Sequence, residues 1–167
     1  EFFPGDLNDL ERKLRANSLK GGTAAVMLEP VGPESGTRPV DKNFCKGVET
    51  LCRKYGALLI FDEVVTAFRV SMNGAQGYFG VSPDLTVFGK VVAGGYPGAG
   101  GLGGKREYMK YLGAGLAGSQ KIHKAFCGGT MSANPLSCVA GYTMLEEMEK
   151  DADCYEDGLM GDRITAG

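Results

Sequence analysis

An apolar run, Leu58-Leu59-Ile60-Phe61, delivers Asp62 at its end, and Lys90 follows 28 residues later inside Gly89-Lys90-Val91-Val92-Ala93-Gly94-Gly95. A carboxylate can keep a heteroaromatic ring nitrogen protonated. A lysine amine can condense with an aldehyde, exchange with a substrate amine and then carry a proton at the substrate carbon. Those two demands belong together in pyridoxal 5'-phosphate chemistry, where the protonated ring acts as an electron sink. Alone, Asp62 reads as a helix cap or surface ion pair, and Lys90 as a solvated charge. Their sequence context changes that balance. The aspartate sits where a buried strand ends, and the lysine lies among small and apolar neighbours able to cover its stem.

Weaker candidates surround the pair. Val64 could pack on a ring face or simply fill core. In Gly128-Gly129-Thr130, backbone amides and a hydroxyl could hold a phosphate, although the same residues could merely turn the chain before a helix. Glu29, after the run Thr23–Leu28, could orient a partner in the pocket or cap local backbone. The single histidine, His123, lies among Gln120, Lys121 and Lys124 and is expected at the surface. Neither a Gly-x-x-x-x-Gly-Lys-Ser/Thr pattern nor a strand-linked Gly-x-Gly-x-x-Gly occurs, so a nucleotide loop is unsupported. Glu29, Asp62 and Glu63 could be imagined as hydrolytic carboxylates, but nothing fixes their separation and Lys90 would then be idle.

The elements that must position these residues follow from periodicity. Leu7, Leu10 and Leu14 share one face of a helix starting near Asp6, and Gly21-Gly22 ends it. The apolar stretch 23–28 predicts a buried strand closed by Glu29-Pro30. Asp41 is placed to cap a helix carrying Phe44, Val48, Leu51, Cys52 and Tyr55, with Gly56 at its exit. Strands are then expected over 57–61 and 84–88, with a further one near 100–103 leading to a helix over 105–111. Strand, helix, strand with continuous apolar strands implies an α/β fold, a mostly parallel sheet with helices on both faces. Ligands in such sheets sit beyond the carboxyl ends of the strands, which is where Asp62 falls. Asn134-Pro135 opens a late helix whose expected apolar side comprises Leu136, Val139, Ala140, Thr143, Met144 and Met148. Helical character resumes near Tyr155.

Composition narrows the partners. The 167 residues suffice for one sizeable core, and 43% are hydrophobic. Eighteen basic against twenty acidic residues, without a run of either sign, argue against a nucleic-acid surface. No segment approaches the length of a membrane-spanning helix. The 27 glycines exceed the usual share of about 7% at least twofold and crowd between Gly74 and Gly129, as around a ligand or an interface. Cys45, Cys52, Cys127, Cys138 and Cys154 form no Cys-x-x-Cys pair, which disfavours zinc and suggests reduced thiols in an intracellular protein. The start Glu1-Phe2-Phe3-Pro4 is neither a signal peptide nor an initiator methionine, as expected of a section of something longer.

Three segments together carry a specific resemblance. Residues 59–69 (Leu-Ile-Phe-Asp-Glu-Val-Val-Thr-Ala-Phe-Arg), 78–86 (Tyr-Phe-Gly-Val-Ser-Pro-Asp-Leu-Thr) and 89–95 resemble successive signatures of the class III, fold-type I pyridoxal-phosphate aminotransferases, and Gly129–Pro135 is similar to a phosphate-contacting interface segment of that family. The likeness runs from Thr23 to about Gly167. It implies that Lys90 bonds the cofactor, Asp62 pairs with the ring nitrogen and Val64 packs on the ring. Gly129 and Thr130 would approach the phosphate of a cofactor held mainly by the partner subunit, and Glu29 would help to organise the pocket. The implied fold is the central and later part of the large domain, over 1–150, with 151–167 beginning the connection to a smaller C-terminal domain. The implied assembly is a homodimer acting on a small amino or keto substrate, in the cytoplasm or a plastid stroma. Within the family the aminomutases look nearest, although Glu34, Ala67 and Pro97-Gly98-Ala99 depart from their usual pattern. An ordinary transaminase is the alternative activity, and a non-catalytic fragment or binding partner is the alternative of another class.

Overall fold

The computed structural model describes residues 1–2, 4–31, 40–112, 125, 128–150, 163–164 and 166. Asp6 accepts hydrogen bonds from the amides of Asn8 and Asp9 and so starts α1 (Leu7–Ser18), whose Leu10 and Leu14 are buried. β1 (Ala25–Leu28) follows, and α2 (Lys42–Tyr55) is capped by the Asp41 carboxylate on the Asn43 amide. Gly56 ends α2 at φ 68°, a left-handed turn that costs glycine nothing. β2 (Leu58–Asp62), α3 (Gly74–Phe79) and β3 (Leu85–Phe88) come next, and a 3-10 turn over Lys90–Ala93 follows β3 directly. β4 (Gly101–Gly104), the single turn α4 (Arg106–Met109) and α5 (Pro135–Lys150) complete the described elements.

The sheet runs β1-β2-β3-β4, parallel across the first three strands and antiparallel at β4. Its register pairs Ile60 with Leu85, Phe61 with Thr86 and Asp62 with Val87. Because side chains alternate along a strand, Val26, Leu28, Leu59 and Phe61 share one face, and they form the core with Leu10 and Leu14 of α1 and Phe44, Val48 and Cys52 of α2. Met27, Leu58, Ile60 and Asp62 point the other way, and all four are partly or largely exposed. Cys45, Cys52 and Cys138 are free thiols. Burial pushes Cys45 and Cys52 up to about 11, so both pack as small apolar groups rather than as nucleophiles.

Two expectations change. α5 buries Ser137 and Gly141, while Leu136 and Val139 of its expected inner face are 61% and 63% exposed. Small residues face inward because the neighbouring backbone comes too close for anything larger: a Cβ on Gly141 would collide with the Val92 carbonyl, and one on Gly94 with Ala140. The predicted helix over 105–111 shrinks to α4. Lys105 stands as its N-cap, tied to Asp84 through both its amide and its amine. The chain after Met109 continues in i→i+3 turns, Tyr111 onto the Tyr108 carbonyl and Leu112 onto that of Met109. The expectations for Glu34, His123, Cys127, Cys154 and the helix near Tyr155 lie outside the described residues, as does most of 151–167. Among the described residues no helix is long and apolar enough to cross a membrane.

Candidate active site

β2 and β3 end side by side, and the candidate residues sit where they do. The Glu63 amide still bonds the Val87 carbonyl, so the ladder extends one step past Asp62. Asp62 turns half-buried toward the open face of the sheet. Its Oδ1 accepts from the Val64 amide at 3.1 Å, and its Oδ2 has no partner among the described residues. Val64 lies over Gly89: a Cβ there would stand 3.1 Å from Val64 Cγ1, so a side chain at 89 would push the valine aside. Lys90 itself has φ 52°, a left-handed backbone that a non-glycine residue adopts only when its surroundings enforce it. The enforcing contact is α5, which seats Gly141 on Val92 and Ala140 on Gly94.

Glu63, next to Asp62, points into the protein and is fully buried. It accepts from the amides of Ala75 and Gln76 at 2.6 and 3.0 Å, from Gln76 Nε2 at 3.3 Å and from the Thr66 hydroxyl at 3.0 Å. Gly74 is needed for that approach, because a Cβ would come within 2.6 Å of Glu63 Oε2. Consecutive carboxylates therefore divide the work. Glu63 ties the end of β2 to the start of α3, and Asp62 is left presented outward. In sequence Glu63 stood only as a possible hydrolytic acid; the signal for its real role is Gly74, eleven residues downstream.

Lys90 lines an open cleft of about 540 Å³ with Arg69, Val91, Ala93, Tyr96, Pro97 and Met144 among its walls. Lys90 is exposed, not covered along its stem as expected. Asp62 and Val64 do not line this cleft; they meet the lysine segment through the strand register and through Gly89. Gly129 and Thr130 are exposed on the turn leading into α5. That turn is stitched to the cleft wall. The Ala133 amide donates to the Gly98 carbonyl at 2.9 Å, and Asn134 Nδ2 and Ser137 Oγ donate to the Pro97 carbonyl at 3.2 and 2.5 Å. Glu29 lies apart, half-buried in another cleft with Phe2, Pro4 and Val40. Asp62 and Val64 thus lie at the end of β2 beside the Gly89-Lys90 segment that follows β3, without sharing the lysine's cleft. The turn that carries Gly129 and Thr130 is tied to Pro97 and Gly98 through Ala133, Asn134 and Ser137, and Glu29 is not brought to them.

Comparison with known proteins identifies the family. Glutamate-1-semialdehyde 2,1-aminomutase 2 of Brevibacillus brevis is 45% identical over 161 residues, 96% of this chain and 36% of that protein. Glutamate-1-semialdehyde 2,1-aminomutase of Legionella pneumophila (strain Paris) is 45% identical over 153 residues, 91% of this chain and 34% of that protein. The chain therefore spans about a third of the length of these curated relatives. Among solved structures, an omega-transaminase from Sphaerobacter thermophilus superposes with a TM-score of 0.74 at 34% identity, covering 87% of this chain and 31% of that one. A structure described as a transaminase with PLP bound gives 0.74 at 30% identity, covering 88% and 33%. The aminotransferase class-III profile matches residues 6–160. With its mostly parallel sheet, its aspartate at the end of β2 and its lysine after β3, this chain belongs to the class-III aminotransferase family.

Proposed function

We propose that the protein moves an amino group between an amine and a carbonyl carbon with pyridoxal 5'-phosphate, and that its particular reaction is the aminomutase conversion of glutamate-1-semialdehyde to 5-aminolevulinate. The observation carrying this reading is the shared exit of β2 and β3, with the unpartnered Asp62 Oδ2 on one strand, Gly89-Lys90 on the next and Val64 between. These residues fit the cofactor. Asp62 would hold the proton on its ring nitrogen, Val64 would flank the ring and Lys90 would take its aldehyde carbon. Gly129 and Thr130 are assigned to its phosphate, and Glu29 to the pocket, on family resemblance alone. When bound, the cofactor supplies an electrophilic carbon conjugated to an electron-withdrawing ring.

The chain's own groups do the rest. Asp62 Oδ1 stays on the Val64 amide, which fixes the carboxylate plane and leaves Oδ2 for the ring nitrogen. Glu63 holds that strand end rigid from beneath, so Asp62 can be positioned without relying on solvent-exposed contacts. Lys90 Nζ would serve as the base that takes a proton from the reacting substrate carbon and gives it back as acid. Names of the relatives support the aminomutase, whereas the solved structures of like fold are transaminases, which keeps simple transamination as the second reading. Pairing with a second copy is the family's implication, supported by Met131, Leu136, Val139 and Tyr142 exposed on and beside α5.

The test is to mix the full-length protein, loaded with cofactor, with glutamate-1-semialdehyde and no other amino donor. Formation of 5-aminolevulinate is expected. Its absence, with turnover appearing only when a second amino acid and a keto acid are supplied, would replace the mutase by the transaminase.

A further inference from the structure

Part of the lysine's cleft is built from a segment with little stiffness of its own. Gly94, Gly95 and Gly98 have φ of 58°, 85° and 77°, and only Tyr96-Pro97 separates them. Glycine loses the most freedom on being ordered, so such a stretch keeps one shape only when something outside it holds on. Yet Gly95, Tyr96, Pro97, Gly98 and Ala99 line the cleft in succession. Their local hydrogen bonds reach backward, from the Gly94 amide to the Val91 carbonyl and from the Tyr96 amide to the Ala93 carbonyl. The outside hold comes from the start of α5. Ser137 is 1% exposed, and its hydroxyl donates to the Pro97 carbonyl, 40 residues back, where a helical serine ordinarily turns to a carbonyl of its own helix. Asn134 Nδ2 donates to the same carbonyl and to Ser137 Oγ, and the Ala133 amide donates to the Gly98 carbonyl. The Met131 carbonyl closes on Gly98 so tightly that a Cβ there would stand 2.6 Å away.

We infer that Ser137 is a positioning residue: from inside α5 it fixes the Pro97 carbonyl, and through it the wall that a substrate meets beside Lys90. The effect on turnover rests on the function proposed above, whereas the clamp itself does not. As mere filler Ser137 would need no hydroxyl, since alanine occupies nearly the same space. The hydroxyl supplies a donor that a buried carbonyl contact requires, and its removal leaves that carbonyl short of one partner. Proline has no N–H to offer, so the carbonyl is the hydrogen-bonding group by which residue 97 can be held. α5 grips the same stretch again further along, where Gly141 meets Val92 and Ala140 meets Gly94. One rigid helix therefore holds both the lysine turn and the wall, and it sets the spacing between Lys90 and Tyr96.

The experiment compares full-length, cofactor-loaded wild type with Ser137→Ala, Asn134→Asp and Val48→Ala. Asn134→Asp keeps the oxygen that accepts from the Ser137 amide and loses the second donor to Pro97. Val48→Ala loosens the core without touching the cleft. Amide hydrogen exchange is followed at Tyr96 and Ala133, and steady-state kinetics are run with glutamate-1-semialdehyde. In Ser137→Ala both amides should exchange about fivefold faster, as loss of one hydrogen bond implies, while the Leu59 amide on Asp84 keeps its wild-type rate. KM should rise by about the same factor, with kcat within about twofold of wild type. Asn134→Asp should repeat that split, and Val48→Ala should speed exchange at Leu59 without moving KM. Wild-type exchange at Tyr96 and Ala133 in Ser137→Ala, or acceleration spread evenly over all amides, would overturn the inference. So would a KM that stays put in Ser137→Ala or rises as far in Val48→Ala. A wild-type protein without turnover, whose Ser137→Ala variant still shows the local exchange pattern, sinks the proposed function and upholds the clamp.

Discussion

Asp84 and Asp62 stand on neighbouring strands at opposite edges of one sheet, and their surroundings could hardly differ more. Asp84 precedes β3 and is 1% exposed. Its Oδ1 accepts from Lys105 Nζ at 2.5 Å, and its Oδ2 from Arg53 at 2.5 Å and the Leu59 amide at 2.8 Å. Asp62 ends β2 half-buried, with one hydrogen bond from its own turn and one oxygen left over. At the amino edge of the strands, the acid's bonding capacity is used by the protein itself, joining α2, β2 and the start of α4. At the carboxyl edge, capacity is held open. The saturated acid marks where the fold is fixed, and the unsaturated one marks where a ligand must complete the bonding.

Replacing Lys90 by alanine breaks the comparison most sharply. Lys90 is exposed and contributes little to packing, so the variant should unfold within about 0.5 kcal/mol of wild type. Turnover should nonetheless fall about a thousandfold or more, because no other amine in its cleft can bond the cofactor or move the proton. Denaturant titration beside a rate measurement reads both. A variant that unfolds early yet turns over normally would make the carboxyl edge structural, like its opposite.

The lysine's position has its own support, and Gly141→Ala measures it. The added Cβ meets the Val92 carbonyl, backbone that cannot rotate away, so α5 must lift from the lysine turn. Overpacking of this kind costs about 1–3 kcal/mol, and here it should appear both as lost stability and as weakened cofactor uptake, read by absorbance titration. This seat was hidden in the sequence. A 16-residue segment with apolar positions at helical spacing announces a helix, but which side docks was misread, because Leu136 and Val139 outrank Ser137 and Gly141 in hydrophobicity. Close backbone approach selects small residues for their lack of volume, which no periodicity records. By contrast, the β1-α2-β2 unit was legible because its signals are local: Asp41 to cap, Gly56 to exit, and an apolar run long enough only for a strand. Asp62 and Lys90 were legible through their spacing and neighbours. Arg53, Lys105 and Asp84 were not, since their partnership spans 31 and 21 residues and nothing nearby advertises it.

The smallest effect falls at the amino edge, and it is a pH dependence. Burial alone pushes the Asp84 carboxyl upward, but the hydrogen bonds from Arg53, Lys105 and the Leu59 amide outweigh it and hold the group below its ordinary value of 3.8. A carboxyl depressed in the folded protein contributes stability that is fully present above the unfolded value and lost as pH falls through the folded one. Wild type should therefore lose stability below about pH 4 more steeply than Asp84→Asn, whose amide cannot be protonated there. At neutral pH the order reverses in size. Asp84→Asn keeps an acceptor for the Leu59 amide but turns an NH2 toward a cation, and because Arg53 and Lys105 are each 42% exposed they regain water. The deficit should be about 1–2 kcal/mol, below that of a sealed ion pair. The same substitution at Asp62 should strike cofactor binding instead and leave stability at neutral pH near that of wild type, because its one hydrogen bond comes from its own turn. An Asp62→Asn protein destabilised as much as Asp84→Asn, with cofactor binding intact, would mean the two edges are not separate in the way their hydrogen bonds indicate.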